Sequence, residues 1–150
     1  MVGSGPLEAE LQGRARELGL LDRIRFHGFV ADHREIESLL AGSSIGVAPY
    51  APGDLTYTRY ADPGKLKAYL AAGLPIVLTN VPPNAPELAR EAGAEIVEYD
   101  ATAIANAISQ GLASPERWRE RRDAALAYAR RFDWPILFGE LLEAVGLESG

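Results

Sequence analysis

The chain has 150 residues, of which 47% are hydrophobic and 24% are charged, and its formal net charge is −6. This composition fits one globular domain with a sizeable core, and the acidic balance excludes a whole-surface attraction to nucleic acid. The absence of cysteine excludes disulfides, thiolate metal sites and cysteine nucleophiles. Neither a signal peptide nor an apolar run of membrane-spanning length is visible. We therefore expect a cytoplasmic protein with no metal, no cofactor and no nucleic-acid partner.

Helical and strand patterns alternate along most of the chain. Helices are predicted at 7–18, 34–41, 63–72, 86–92 and 102–112, and strands at 24–26, 45–48, 76–78 and 95–97. A loop rich in turn formers and tyrosine occupies 50–61, and two further helices begin at Ser114 and Asp133. Alternating strands and helices imply parallel pairing through helical crossovers, so we expect an α/β fold with a Rossmann-like layered parallel sheet.

The helix 63–72 has the clearest boundaries. Asp62 is a good N-cap, Pro63 stands where the first helical residue is expected, and Gly73 follows the last helical residue. In open parallel sheets, ligands bind outside the carboxyl ends of the strands, and this helix follows such an end.

The start of that helix suits an anion. A helix N-terminus presents unpaired amides and the positive end of the dipole, and Gly64 leaves those amides unshielded. Lys65 in the first turn opposes the dipole unless an anionic ligand is bound, although a solvated lysine on a well-capped helix has the same pattern. The spacing of a P-loop is absent.

Other candidate residues favour plainer interpretations. Gly3-Ser4-Gly5-Pro6 is most simply a tight turn, and Gly28 with Phe29 a glycine turn beside a core phenylalanine, although Phe29 could also face a planar ring. His27 and His33 are interpreted as structural or solvated, and Glu87 with Glu91 as a solvated face. The same interpretation, an exposed helix surface, applies to the arginines at positions 117, 119, 121, 122, 130 and 131.

Several segments together resemble the C-terminal, donor-binding half of retaining glycosyltransferases with the GT-B fold, family 4 type. Val2-Gly3-Ser4-Gly5-Pro6 is similar to the family's V-G-x-G-P, and residues 24–30 are similar to V-x-F-x-G-x-V. Residues 45–50 correspond to a strand that usually ends in Pro-Ser. The most specific match is residues 63–77, PGKLKAYLAAGLPIV, to P-x-K-x-x-E-Y-x-A-A-G-x-P-V-V, and Phe132-Asp133-Trp134 is similar to the aromatic-x-Trp before the last helix.

This resemblance implies that the chain binds a nucleotide-diphosphate sugar. Backbone around Phe29 and Val30 would hold the base, the amides of Gly64, Lys65 and Leu66 would cradle the diphosphate, and Ala68 would face the ribose. Gly28 and Tyr50 complete the predicted substrate-binding set. No catalytic residue is assigned.

Two departures accompany the resemblance. The family often has two glutamates with seven residues between them, and Tyr60 and Ala68 occupy those positions here. The chain also starts late in the domain, so we expect one partial donor-binding domain over residues 1–150, truncated at its N-terminus and without the acceptor-binding domain. Such a fragment would be inactive alone, and any peripheral membrane association would run through the missing domain.

We expect a sheet of about three strands with 24–26 poorly paired, or direct pairing of 24–26 with 45–48.

The leading functional hypothesis is a donor domain of a glycosyltransferase that transfers a glycosyl group to an unknown acceptor. A non-catalytic nucleotide-binding or protein-interaction module derived from that fold is the alternative, favoured by the residues at positions 60 and 68. An epimerase acting on nucleotide sugars is a third hypothesis, but it needs an acid–base constellation that the sequence does not display.

Overall fold

The computed structural model describes residues 1–53 and 57–146. These residues form two compact units, one over Met1–Leu39 and a second that begins at Leu40. The loop predicted at 50–61 thus lies partly outside the described residues. The regular elements, in chain order, are α1 Glu8–Glu17, α2 His33–Ala41, β1 Gly46–Ala48, α3 Gly64–Ala71, β2 Ile76–Thr79, α4 Ala85–Glu91, β3 Glu95–Val97, α5 Ala101–Ala113, α6 Pro115–Ala129 and α7 Trp134–Ala144. Short 3₁₀ turns occupy Leu21–Arg23, Tyr57–Tyr60 and Arg130–Phe132.

The second unit is built on a parallel sheet with strand order β1-β2-β3. The register pairs Val47 with Val77, and Leu78 with Ile96. All four residues of β2 are buried, as expected of a central strand with helices on both faces. The α/β prediction and the strands predicted at 45–48, 76–78 and 95–97 are confirmed.

Residues 24–26 lie in the first unit and do not form a strand of this sheet. Their neighbours are the first residues of the chain: the Met1 ammonium donates to the Arg25 carbonyl at 2.6 Å, and His27 N–H donates to the Met1 carbonyl at 2.9 Å. The strand prediction for 24–26 is therefore wrong, because only this short stretch of backbone lies beside it. The expected three-stranded sheet with 24–26 poorly paired is confirmed.

The hydrophobic core lies in the second unit, between the sheet and its helices. Many of its large, fully buried side chains come from α3, β2, α4 and the turn before β2, among them Leu66, Leu70, Leu74, Ile76, Val77, Leu78 and Leu88. Tyr69 of α3 packs against this cluster and covers Gly46 of β1. A Cβ atom on Gly46 would lie 2.5 Å from Cδ2 of Tyr69, so only glycine leaves room for the ring there.

The start of α3 differs from the prediction. Pro63 occupies the cap position and the helix begins at Gly64, so the prediction of Asp62 as N-cap is wrong. The Asp62 carboxylate is engaged elsewhere: it lies 2.6 Å from Nζ of Lys67 and accepts a hydrogen bond from Asn84 at 3.1 Å. The helix ends at Ala71, one residue before the predicted last helical residue, and Ala72 is its C-cap. The glycine stop is confirmed, because Gly73 follows with a left-handed φ of +66°.

Helix α6 holds the amino edge of the sheet with three side chains. Trp118 Nε1 donates to the Ser44 carbonyl, just before β1, at 2.7 Å. Arg122 donates to two carbonyls just before β2, and Arg121 donates to Ile76 of β2 at 3.1 Å and to Glu95 of β3 at 3.0 Å. Arg121 is only 8% exposed, so its assignment to an exposed helix surface is wrong. Its guanidinium can lie out of contact with solvent because backbone carbonyls and the Glu95 carboxylate accept its hydrogen bonds.

Helix α7 begins after Asp133, as predicted, but none of its residues is buried. Trp134 and Phe138 stack with ring centroids 5.5 Å apart and remain 71% and 52% exposed. Its apolar residues thus contribute to an exposed surface and not to the core described above.

Replacing Gly46 with alanine tests the packing of Tyr69. We expect Gly46→Ala to lower the free energy of unfolding by about 1–3 kcal/mol, because the ring must shift away from β1. The control is Gly139→Ala in α7, where a Cβ meets nothing within 4 Å and the change should raise stability by about 0.5–1 kcal/mol. Urea denaturation of both variants provides the measurement. Unchanged stability in Gly46→Ala would contradict the close contact.

Replacing Arg121 tests its role at the amino edge. Arg121→Ala leaves buried carbonyls and Glu95 without their donor, and we expect it to lower the free energy of unfolding by about 3–5 kcal/mol. Arg119→Ala removes an arginine of the same helix whose side chain is 66% exposed, and should change stability by less than about 0.5 kcal/mol. Equal effects in chemical denaturation would mean that Arg121 is solvated like Arg119.

Candidate functional site

Tyr50 lies just beyond the carboxyl end of β1, at the edge of the sheet where ligands bind in this architecture. The hydroxyl of Thr79, the last residue of β2, donates to the Tyr50 carbonyl at 2.6 Å. Tyr50 N–H donates to the Ala48 carbonyl at 3.0 Å. These two hydrogen bonds tie the start of the loop after β1 to the end of β2 and fix where the Tyr50 ring lies.

The Lys65 ammonium lies over the Tyr50 ring, with Nζ 4.3 Å from the ring centroid. Among the described residues, no carboxylate lies within 4 Å of this ammonium. Partial burial lowers the pKa of Lys65, and burial raises the pKa of Tyr50 to about 12. The tyrosine is therefore a neutral phenol near pH 7, and its ring is an uncharged support for the lysine.

The predicted phosphate-binding amides differ in availability. Leu66 N–H donates to the Pro63 carbonyl at 3.0 Å, and the Leu66 side chain is completely buried. The N–H groups of Gly64 and Lys65 have no acceptor within the described part of the chain. A Cβ on Gly64 would meet nothing within 4 Å, so the approach to these two amides is open.

Lys67, two residues further along α3, has a different environment. Its Nζ lies 2.6 Å from the Asp62 carboxylate and 4.9 Å from the centroid of the Phe132 ring. Its charge is therefore neutralised by Asp62, whereas Lys65 has no carboxylate partner among the described residues.

The same edge of the sheet carries a cavity of about 290 Å³. Its lining comes from the loop after β1, the 3₁₀ turn before α3 and the residues that follow β2, namely Pro52, Gly53, Arg59, Asn80 and Val81. Arg59 and Asn80 give this cavity a polar wall suited to a hydroxylated or anionic ligand.

The two positions that depart from the glutamate pair lie in different surroundings. Tyr60 is 79% exposed, with the Arg59 guanidinium 5.6 Å from its ring centroid. Ala68 is half-buried and stands four residues after Gly64, so it lies on the same side of α3. A longer side chain at position 68 would extend along the side that carries the open amide of Gly64.

The residues predicted to hold the base belong to the first unit. Gly28 has a left-handed φ of +62°, and its carbonyl accepts a hydrogen bond from Gly3 N–H at 2.7 Å. Phe29 is 77% exposed, so the interpretation as a core phenylalanine is wrong, and Val30 is half-buried. The Phe29 ring is therefore available at the surface, directly after the left-handed turn at Gly28.

The glycine-rich N-terminal segment forms a turn into α1, where Glu8 N–H donates to the Gly5 carbonyl at 3.1 Å. A cavity of about 330 Å³ lies against it, lined by residues 1–8 with Leu11 and Phe26. This lining is mainly apolar.

Glu87 and Glu91 do not form a freely solvated face. The Tyr128 hydroxyl donates to Glu87 at 2.8 Å, and Arg131 lies 2.6 Å from the Glu91 carboxylate. Hydrogen bonds from Arg90 and Arg131 lower the pKa of Glu91. His27 and His33 are exposed, and across the described residues no group of three His, Cys, Asp or Glu side chains could hold a metal ion.

Sequence reasoning placed Lys65 at the site but missed its contact with Tyr50. The signal available was the tyrosine that follows Pro49, where the resembling family usually has a serine. The ring contact depends on a fold that brings the end of β1 beside the start of α3, and spacing along the chain does not reveal it.

Comparison with known proteins agrees with this architecture. A family described as "Glycosyl transferases group 1" matches residues 1–114. WaaG, a glycosyltransferase involved in lipopolysaccharide biosynthesis, aligns at TM-score 0.69 and 17% identity over 99% of this chain and 37% of its own. Sucrose-phosphate synthase from Thermosynechococcus elongatus aligns at 0.71 and 26% identity over 97% of this chain and 37% of its own. HepE from Anabaena, in complex with UDP, aligns at 0.71 and 20% identity over 97% of this chain and 39% of its own.

The fold is that of the C-terminal half of GT-B glycosyltransferases. Because the family match covers most of the chain, the chain belongs to the group 1 glycosyltransferases. It spans a little over a third of the length of these three solved proteins. No curated protein gives a significant match. None of the helices within residues 1–53 and 57–146 is long and apolar enough to cross a membrane.

Proposed function

We propose that this chain is part of the donor-binding domain of a glycosyltransferase and binds a nucleotide-diphosphate sugar, whose glycosyl group passes to an acceptor. The diphosphate would lie at the amino end of α3, the base near Gly28, Phe29 and Val30, and the ribose near Ala68. A location in the cytoplasm and a peripheral contact with a membrane stay predictions. We assign no catalytic residue.

The observation that carries this proposal is the start of α3. Two open amides, those of Gly64 and Lys65, occur there together with a lysine that has no carboxylate partner among the described residues. Amides at a helix N-terminus bind anions through their N–H groups and the helix dipole, and a nearby cation adds to that attraction. A diphosphate matches this arrangement in charge and in hydrogen-bonding capacity.

This location also agrees with the chemistry of glycosyl transfer. The departing diphosphate gains negative charge as the bond to the sugar breaks, and fixed donors aimed at that charge accelerate such reactions. Lys65 and the two amides would supply that stabilisation within this chain. The solved HepE contains UDP, which supports a nucleoside diphosphate as the first ligand to test.

A non-catalytic binding or interaction module derived from the fold is the second candidate. The observation that favours it is the pair of positions Tyr60 and Ala68, where the glutamates of the resembling family are absent. A thermal-shift panel with UDP, GDP and ADP separates the two candidates. Stabilisation by at least one of them is expected for a donor domain, and no shift with any of them would favour the interaction module.

Removing Lys65 tests the phosphate assignment. We expect Lys65→Ala to weaken binding of the tightest-bound nucleoside diphosphate by about 1.5–3 kcal/mol, roughly 10- to 150-fold, because a hydrogen bond to a charged group is lost. Binding of the matching nucleoside, which has no phosphate, should barely change. Lys67→Ala is the control, since Asp62 already neutralises that lysine. Isothermal titration calorimetry on the 150-residue chain gives all these affinities.

Equal losses for the nucleoside diphosphate and the nucleoside in Lys65→Ala would mean that Lys65 acts through folding. The phosphate assignment would then fail. A loss in Lys67→Ala as large as that in Lys65→Ala would also contradict it, because it would indicate a general charge effect.

Restoring a carboxylate at position 68 tests the ribose assignment. Glutamate there could accept hydrogen bonds from both ribose hydroxyls, and it has good helix propensity. We expect Ala68→Glu to tighten nucleoside diphosphate binding, by up to about 1.5–3 kcal/mol per hydrogen bond before desolvation, and to leave the 2′,3′-dideoxy analogue unaffected. Ala71→Glu, which adds the same charge at the end of α3, is the control. Calorimetry in which both ligands respond equally to Ala68→Glu would contradict a ribose at this position.

A further inference from the structure

Within the described residues, the Lys65 ammonium is in contact with an aromatic ring and not with a carboxylate. A lysine side chain loses rotamer entropy when it is held in one place, so an ammonium that is ready for a ligand needs a group that holds it. The Tyr50 ring, 4.3 Å from Nζ to its centroid, is the group that does so. A cation over an aromatic face is attracted by the ring quadrupole.

Tyr50 is itself held firmly. Thr79 and Ala48 hydrogen-bond its backbone, and its ring packs against the hydrophobic core cluster. Its hydroxyl is buried without a hydrogen-bond partner among the described residues. The contact of Tyr50 with Lys65 is made by the face of the ring, whose centroid lies 4.3 Å from Nζ.

A lysine held by an aromatic ring keeps its positive charge for a ligand, whereas a lysine paired with a carboxylate does not. Asp62 holds Lys67 by pairing with it, and this pairing uses the charge that an anion would need. An uncharged ring orients the ammonium without neutralising it and leaves its N–H donors free on the side away from the ring. A lysine held in this way keeps its full attraction for a phosphate.

We infer that Tyr50 is a positioning residue that holds the Lys65 ammonium ready for the diphosphate of the donor. This inference rests on the proposed function, because it gives Lys65 its ligand. Tyr50 acts through Lys65 and is not a catalytic residue. The resembling family usually has serine at this position, so the device belongs to this chain's own sequence.

The ring contact can be tested without any ligand. The chain has two lysines, Lys65 and Lys67, so reductive methylation with ¹³C-formaldehyde labels only these two side chains and the N-terminus. We expect the Lys65 methyl resonance of the native protein to be shifted by the Tyr50 ring current relative to the urea-unfolded protein. Tyr50→Leu should abolish this shift and Tyr50→Phe should keep it. The Lys67 resonance, near Phe132, is the internal control and should be unchanged in both variants.

A second experiment measures, by calorimetry, the affinity for whichever of UDP, GDP and ADP binds most tightly. We expect Tyr50→Leu to weaken it about two- to fivefold, the range of an exposed cation–π contact, and to leave the nucleoside unaffected. Tyr50→Phe should restore binding. If Tyr50→Leu does not fold, Tyr50→Met takes its place, and the native-against-unfolded comparison of the wild-type spectrum still decides whether the contact exists.

The possible failures are distinguishable. An unshifted Lys65 resonance in the native protein would overturn the role of Tyr50 and leave the proposed function intact. A shifted resonance with unchanged diphosphate affinity in Tyr50→Leu would also overturn the positioning role alone. No binding of any nucleoside diphosphate by the wild-type chain would overturn the proposed function and, with it, the role of Tyr50.

Discussion

The packing of helix α6 against the sheet depends on the hydrogen bonds that the buried Arg121 guanidinium donates. It donates to the carbonyls of Ile76 and Gly93 and to the Glu95 carboxylate, and so joins α6 to the first residues of β2 and β3. A charge withdrawn from water is costly unless its donors are satisfied, and here the fork geometry of arginine meets several acceptors at once. With Trp118 bonded just before β1, α6 fastens the amino ends of all three strands.

The polar groups at the amino edge and at the carboxyl edge of the sheet are used differently. The amino edge is closed by α6, and its polar groups are used within the fold. At the carboxyl edge, Thr79 and Tyr50 join the ends of β2 and β1, while the first amides of α3 and the Lys65 ammonium keep hydrogen-bonding capacity that the described residues do not use. A substitution at Arg121 therefore removes hydrogen bonds at the amino edge, and a substitution at Lys65 leaves them in place.

Helix α3 shows which helix boundary the local sequence predicts and which it does not. Its end at Gly73 follows from the need for a left-handed residue, and this was predictable because glycine adopts that conformation at no steric cost. Its start was not placed correctly, because Asp62 is an equally good N-cap or ion-pair partner. The choice was made by Lys67 and Asn84, and Asn84 lies in a distant part of the chain.

Composition and hydrophobic periodicity determined the α/β class, the three strands of the sheet and most helices, because burial of apolar residues at fixed spacing is a local property of the chain. The motif around Lys65 also pointed to an anion from sequence alone. Only the tertiary structure decided that Arg121 is buried and that Lys65 lies on Tyr50. The spacing of Arg121 from Trp118 and Ala125 places all three on the inward side of α6. Its charge nevertheless favoured an exposed assignment, because the acceptors on β2 and β3 that surround it come from distant parts of the sequence. Both contacts join residues far apart in sequence, and their energy depends on surroundings that exist only when the sheet has formed.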